Sequence, residues 1–265
     1  MKKNLLILCL MALSPAVLSA QGTKNDLEND FGARISVAVD KKIVKGFHAN
    51  VEGEARLSDN LTNFGRYQAG AGLSYKVSQL VKVGGGYILI EDKNSSGIWN
   101  PRHRAYGDIT FTLRDGFWRF SLKERLQYTH REVNNKFQST PNSLTLKSRF
   151  KVAYKSPASR WTPYSYIEFR NVFNDPAENA TWNDASSKYD SYEFLGYKDT
   201  YFNRVRGVIG VEYNFDQWNA IDVFGMVSYS YDKDIDTNAE GTKLKSLTYD
   251  QKLMSWIGIG YTFSF

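Results

Sequence analysis

From about residue 46 onward, apolar and polar residues alternate along the chain with a period of two. Phe47, Ala49, Val51, Ala55 and Leu57 alternate with His48, Asn50, Glu52, Glu54 and Arg56. Ile109, Phe111 and Leu113 alternate with Asp108, Thr110 and Thr112, and Trp118, Phe120 and Leu122 with Arg119, Ser121 and Lys123. The second half keeps the habit: Val205, Ile209, Val211 and Tyr213 oppose Arg204, Arg206 and Glu212, and the chain ends on Ile257, Ile259, Tyr261, Phe263 and Phe265. No helical stripe competes with these runs. They last about 10 to 15 residues, whereas a globular strand averages roughly 5 to 6 and a tilted membrane strand needs roughly 9 to 11. The pattern predicts an all-β chain, a transmembrane up-and-down antiparallel β-barrel with a charged lumen and an apolar exterior.

Connection lengths refine this. Short links fall near residues 77–79, 114–116, 155–162 and 216–217, with a tight-turn pair at Asp115-Gly116. Long links fall near 58–65, 92–102, 130–143, 173–200 and 231–248. Short turns on one rim and long loops on the other favour ten strands, with both ends of the 46–265 core on the periplasmic side. Residues 31–41 complicate the count, because Ile35, Val37 and Val39 also alternate with Arg34, Ser36 and Asp40. Bacterial barrels prefer an even number of strands. The 21–45 segment is therefore read as a periplasmic segment or an extra strand. Twelve strands are the alternative count, with residues 189–197 supplying part of a missing pair.

Glu124 is a misfit. Strict alternation puts it on the apolar face between Leu122 and Leu126, where an ionised group is costly. A β-bulge would turn it inward. A subunit contact, or a fold outside a membrane, would also accommodate it.

Composition fits the barrel. Aromatic residues make up 15% of the 265 residues. Many lie near strand ends, where interfacial belts place them. The N-terminus has Lys2 and Lys3, then an apolar run from Leu5 to Leu13, then small residues to Ala20. This reads as a signal peptide over 1–20. The single cysteine, Cys9, lies inside it, so the remaining chain has no residue for disulfides, thiol nucleophiles or thiolate metal sites. Removing Lys2 and Lys3 lowers the formal charge of +6 by two, too small an excess to argue for nucleic acid. The expected location is the cell outer membrane, as a monomer.

On the polar face, Arg104, Arg119, Lys123, Arg125, Lys147, Arg149 and Lys151 predict a basic lumen wall. Glu52, Glu54, Glu168, Glu212 and Asp222 are the acidic partners expected to meet it, since enclosed charges need partners. The simpler reading is a salt-bridged structural interior. The sharper one is a restricted passage or binding site for small anionic solutes.

Two further function classes compete. An outer-leaflet hydrolase would need a histidine base. His103 and His130 lie near the outer ends of strands joined by the turn at 114–116, and Glu132, Ser139 and Ser143 follow in sequence. His48 faces the lumen on the strand that carries Glu52. No spacing fixes a nucleophile–base–acid set, and a plain rim histidine is the simpler reading. A loop-mediated surface binding protein is the other class. Asp175, Asp184, Asp190 and Glu193 lie in the longest loop, and Asp232, Asp234 and Asp236 alternate, but the Gly and final Glu of a calcium loop are missing. No metal site or cofactor is expected. Gly84-Gly85-Gly86 lies inside a strand, so close packing or a bend fits better than a dinucleotide loop.

Two resemblances add to this. The terminal Tyr261, Phe263 and Phe265 resemble the C-terminal signal of bacterial outer-membrane barrels, which implies the barrel-assembly machinery as a partner beside outer-membrane lipid. The segments 52–60, 120–128, 146–151, 163–169 and 257–261 together resemble an outer-membrane family common in Bacteroidota, catalogued as domain of unknown function 2490. That resemblance implies an outer-membrane barrel and no assigned reaction. It also makes an accidental Glu124 a poorer account than a bulge or an inward role.

Overall fold

The computed structural model describes residues 23–265 other than Ser95, with side chains from Leu27 onward. The 1–20 segment and Cys9 lie outside the described residues. Eleven strands follow in order: β1 (Thr23–Val44), β2 (Phe47–Ser58), β3 (Asn63–Lys76), β4 (Val81–Lys93), β5 (Trp99–Asp115) and β6 (Trp118–Arg131), then β7 (Asn142–Tyr154), β8 (Trp161–Asn183), β9 (Lys188–Asn214), β10 (Asn219–Thr237) and β11 (Leu244–Ser264). Each pairs antiparallel with its sequence neighbour, and β1 pairs parallel with β11 to close the barrel.

The wall therefore has eleven strands, not the ten favoured from the connections or the alternative twelve. The reason is geometric. Successive strands reverse direction, so a first and an eleventh strand run the same way and close through a parallel ladder. That ladder runs without a shift from Leu27 opposite Gln251 to Asp40 opposite Ser264. Ile35 and Val37 of β1 are about half exposed on the outer face, as wall residues are. Residues 189–197 supply no extra pair: they belong to the outer part of the 27-residue β9, laddered to β8.

One rim carries the short turns between β1 and β2, β3 and β4, β5 and β6, β7 and β8, and β9 and β10. Gly116 sits at positive φ (55°) in one of them, the left-handed conformation that a tight hairpin demands and a side chain resists. The C-terminus lies at this rim, and β1 enters from the opposite one.

Exposed aromatic residues mark the spanning band. Trp118 and Tyr128 both face outward on β6, 49% and 46% exposed. Ten residues of strand cover about 33 Å, and a tilt near 40° reduces that to roughly 25 Å, the height of a barrel's apolar band. Tyr75, Phe117, Trp161, Phe215 and Trp218 continue the belt at the short-turn rim, and Phe64, Tyr67 and Tyr87 continue it at the other. These strands are transmembrane in type: apolar outward, ionised inward.

Beyond the band, β8 and β9 form a long hairpin that packs on the ends of β10 and β11. Ile235, Leu244 and Leu247 make its buried core, with Ala180, Tyr189 and Tyr192 against them. The β6–β7 loop is tied to this unit. Asn135 Nδ2 donates to Thr237 Oγ1 (3.1 Å), and the rings of Phe137 and Phe194 pack edge-on with centroids 5.3 Å apart.

Candidate functional site

The charged lumen is the site, and strand register decides which charges meet. Lys123 and Arg125 of β6 both reach Asp108 on β5, at 3.0 and 2.6 Å. Arg149 of β7 and Arg206 of β9 share Glu168 of β8, at 2.5 and 3.1 Å. Glu54 pairs with Arg56 two residues along β2. Asp92 of β4 serves Arg66 and Arg102, and Asp232 of β10 serves Arg170 (3.2 Å) and Arg204 (3.8 Å). Ring faces add support: Arg125 lies 4.0 Å from the Tyr106 ring centre, Arg149 4.4 Å from Tyr166 and Arg34 4.7 Å from Trp256.

Several expected residues have other partners. Asp222 accepts from the Tyr164 hydroxyl at 2.9 Å, and the Lys151 ammonium sits 3.8 Å over the Tyr164 ring. Glu212 accepts from Asn214 Nδ2 at 3.2 Å. Glu52 and Arg119 face inward but lie outside the ion-paired cluster. Sequence reasoning missed Arg34, Arg56, Arg66, Arg170, Arg204 and Arg206, and the carboxylates Asp92, Asp108 and Asp232. Alternation already put most of them on the polar face; their cross-strand partners had no signal in the sequence.

The cations are arranged in rows. Arg125, Lys147, Arg170 and Arg204 stand directly opposite one another across β6, β7, β8 and β9. Arg34, Arg56 and Arg66 do the same across β1, β2 and β3, and their row ends at Asp92 on β4. Like charges opposite each other destabilise a ladder. Arg66 also repels Arg104, Arg170 and Arg204, so the two rows face each other across the lumen. Lys147 is held between Arg125 and Arg170, and Glu168 attracts it only at longer range. Among the described residues Arg104 donates to Thr129 Oγ1 at 3.0 Å and to no carboxylate. Among the described residues the Nε atoms of Arg34, Arg204 and Arg206 are buried without an acceptor.

The lumen is solvated in part and plugged in part. The side chains of Arg149, Lys123 and Arg204 keep 37, 29 and 27% of their surface accessible. Nearer the short-turn rim, Val208, Met226 and Trp256 form a buried apolar cluster with Tyr164, Tyr166, Phe224 and Met254. Gly258 makes room for it, since a Cβ there would lie 2.1 Å from the Phe224 ring. Within 84–86, Gly86 is likewise required by close packing, because a Cβ would lie 2.4 Å from the Ala71 carbonyl oxygen and 2.6 Å from the Tyr106 hydroxyl. An apolar hollow of about 690 Å³ beside Gly207 and Gly225 shares Tyr166, Val208, Met226 and Trp256 with the buried apolar cluster.

The histidines do not assemble a hydrolytic set. His103 and His130 are cross-strand neighbours, yet both sit on the exposed outer face. Their Nδ1 atoms meet the Tyr87 hydroxyl and Asn142 Oδ1 (2.8 Å for the latter), not Glu132, Ser139 or Ser143. His48 pairs across the β1–β2 hairpin with Asp40 at 2.7 Å rather than with Glu52. The outer-loop carboxylates are dispersed: Asp175 accepts from Tyr201, Asp184 from Trp182 and Asp190 from Asn183. Among the described residues no group of three or more His, Cys, Asp or Glu could hold a metal ion.

Fold and site together define a class: a closed β-barrel of transmembrane strands with an ion-paired, predominantly basic lumen. The chain belongs to the family described as "Protein of unknown function (DUF2490)", whose model matches residues 31–239. A comparison with curated proteins finds no match.

Proposed function

We propose that the protein is an outer-membrane β-barrel that forms a restricted passage for small anionic solutes. The surplus of lumen cations carries this reading. Seven cations stand in the two rows, and four carboxylates touch them: Glu54, Asp92, Asp108 and Asp232. Two of those four also serve Arg102 and Lys123. A solvated interior of net positive charge concentrates anions and excludes cations. The apolar cluster around Trp256 narrows the path and makes it selective by size as well as charge. Outer-membrane lipid is the partner of the exposed wall. Tyr261 and Phe263 on β11 and Phe265 just beyond its end, spaced at alternate positions, suit recognition by the barrel-assembly machinery.

The test is conductance of the refolded protein in a planar bilayer across a potassium chloride gradient. The expected reversal potential has the sign of chloride permeation. Current no greater than the protein-free control, or a preference for potassium, would refute the passage.

A further inference from the structure

We infer that the two facing basic rows form a binding site inside the lumen for a multivalent oxyanion, such as a pyrophosphate or phosphate-ester group. The inference rests on the reading of the lumen as a solvated basic interior, but not on flux through it.

The first reason is the cost of the arrangement. Placing Arg125, Lys147, Arg170 and Arg204 side by side sets three like-charge cross-strand pairs in succession. One row away a single like-charge pair, Lys123 opposite Arg149, is followed at once by Glu168 and then Arg206, so the signs alternate there, whereas the longer row has no carboxylate within it. The ends of the cation row are compensated, by Asp108 at Arg125 and by Asp232 at Arg170 and Arg204. Among the described residues its middle member Lys147 touches no carboxylate, and only Glu168 attracts it, from longer range.

The second reason is geometry. Neighbouring strands lie about 4.8 Å apart, so the row spans roughly 14 Å. A monatomic anion touches one or two of these cations. An anion with several charged oxygens bridges neighbours and reaches Arg104 and the Arg34–Arg56–Arg66 row that faces them. Guanidinium groups suit phosphate oxygens because their donors form a planar fork. Lys147 supplies a point charge in the middle. The third reason is the unused donors: among the described residues, Arg34 and Arg204 of the two rows each keep a buried Nε–H without an acceptor, and so does Arg206 in the adjoining row.

The site has a built-in reporter. The Trp256 ring lies under the Arg34 guanidinium, so an anion drawn to Arg34 changes its emission. The experiment titrates inorganic pyrophosphate into the detergent-refolded full chain and follows tryptophan fluorescence, with chloride at matched ionic strength as the control. Heat-modified gel mobility checks that each variant is folded. The expected result is a saturable change with pyrophosphate only, absent in Trp256→Phe. Lys147→Met should weaken it about ten-fold, the worth of one charge-assisted contact. The same substitution should raise thermal stability, because it removes a cation from between two others. A structural lysine would lose stability instead.

A linear response, an equal response to chloride, or unchanged affinity in a folded Lys147→Met would overturn the site. The titration of the unaltered protein decides the first two without any variant. Conductance separates the two readings. Pyrophosphate binding without current refutes the passage and leaves the site standing, whereas chloride current without a saturable pyrophosphate response refutes the site alone.

Discussion

Ser148 Oγ donates a 2.6 Å hydrogen bond to the Glu124 carboxylate on the outward face of the wall. The two residues are directly opposite on β6 and β7, in a register with no bulge. Neither an inward role nor a local bulge accounts for Glu124. It points outward, six residues from Trp118 and four from Tyr128, inside the apolar band. One hydroxyl offsets only part of the cost of a carboxylate there. Glu124→Leu is expected to stabilise the barrel in phosphatidylcholine vesicles by about 1–2 kcal/mol. Ser148→Ala, which leaves the carboxylate without its donor, is expected to destabilise it by about 1 kcal/mol. Urea unfolding in the same vesicles measures both. A less stable Glu124→Leu would show that a further partner on this face supports the carboxylate.

Outside the band, Lys233 anchors the long hairpin. Its side chain is 2% exposed, and its ammonium donates to Glu178 (3.0 Å), to Asp199 and to the Pro176 carbonyl (2.6 Å). Lys233→Met would leave two enclosed carboxylates without their cation, a loss on the order of 3 kcal/mol. The hairpin should then detach from β10 and β11 while the barrel stays closed. Limited proteolysis near residues 184–187 should accelerate with heat-modified mobility unchanged. Cleavage at the parental rate would show that the apolar contacts around Ile235 hold the hairpin unaided.

In the proposed passage the apolar cluster sets the aperture. Met226 and Trp256 are only 3 and 6% exposed, although both face the lumen from neighbouring strands. Trp256→Ala removes the larger ring, so its unit conductance should rise at least two-fold if the constriction is there. The cost in stability should be about 3–5 kcal/mol if the space stays unfilled, and less if water enters. Unchanged conductance in a folded variant would put the narrowest point at the salt-bridged level instead.

Period-two alternation set the side of the wall for nearly every residue discussed, Glu124 included, and it identified β1 as strand-like. It did not count the wall correctly, because an even number was assumed and a parallel seam has no local signature. The lumen rows show the same boundary. Arg170 and Arg204 are visibly on the polar face, but Lys147 meets Arg170 only because β7 and β8 settle into one register out of many. Register is a property of strand pairs, set by turns and packing. Pairing by proximity in sequence also misleads: His48 lies four residues from Glu52, yet the β1–β2 hairpin delivers Asp40 to it.

At the short-turn rim, Asp216 organises the β9–β10 connection. Its carboxylate accepts from the Asn219 side chain and from the backbone N–H groups of Trp218 and Asn219. These bonds, the Asn219 side chain first, lower its pKa below the ordinary aspartate value. A depressed carboxyl contributes stability that is fully present above the unfolded value, about 3.9, and is lost as pH falls through the folded value. Asp216→Ala should thus lower the heat-modification midpoint at neutral pH, and the gap from the parent should close in acid. A gap that widens in acid would contradict the assigned bonding.

The seam between β1 and β11 is the most consequential feature of the wall, because it decides whether Arg34 belongs to the lumen. Val37 and Tyr261 are directly paired across it, and both face outward, 52% and 38% exposed. Paired residues on neighbouring strands bring their Cα atoms within reach of a disulfide, whose limit is about 7 Å. The chain's single cysteine, Cys9, lies in the expected signal segment, so a Val37→Cys/Tyr261→Cys protein without residues 1–20 has no competing thiol. Oxidation of the folded protein is expected to give an internal crosslink joining residues 224 positions apart, seen as altered mobility on a non-reducing gel after boiling. Val37→Cys/Phe265→Cys should not crosslink, because register places position 265 beyond the paired Asp40 and Ser264. A ten-stranded barrel with β1 outside the wall predicts the opposite: no crosslink from the first pair, and Arg34 removed from the row it shares with Arg56 and Arg66.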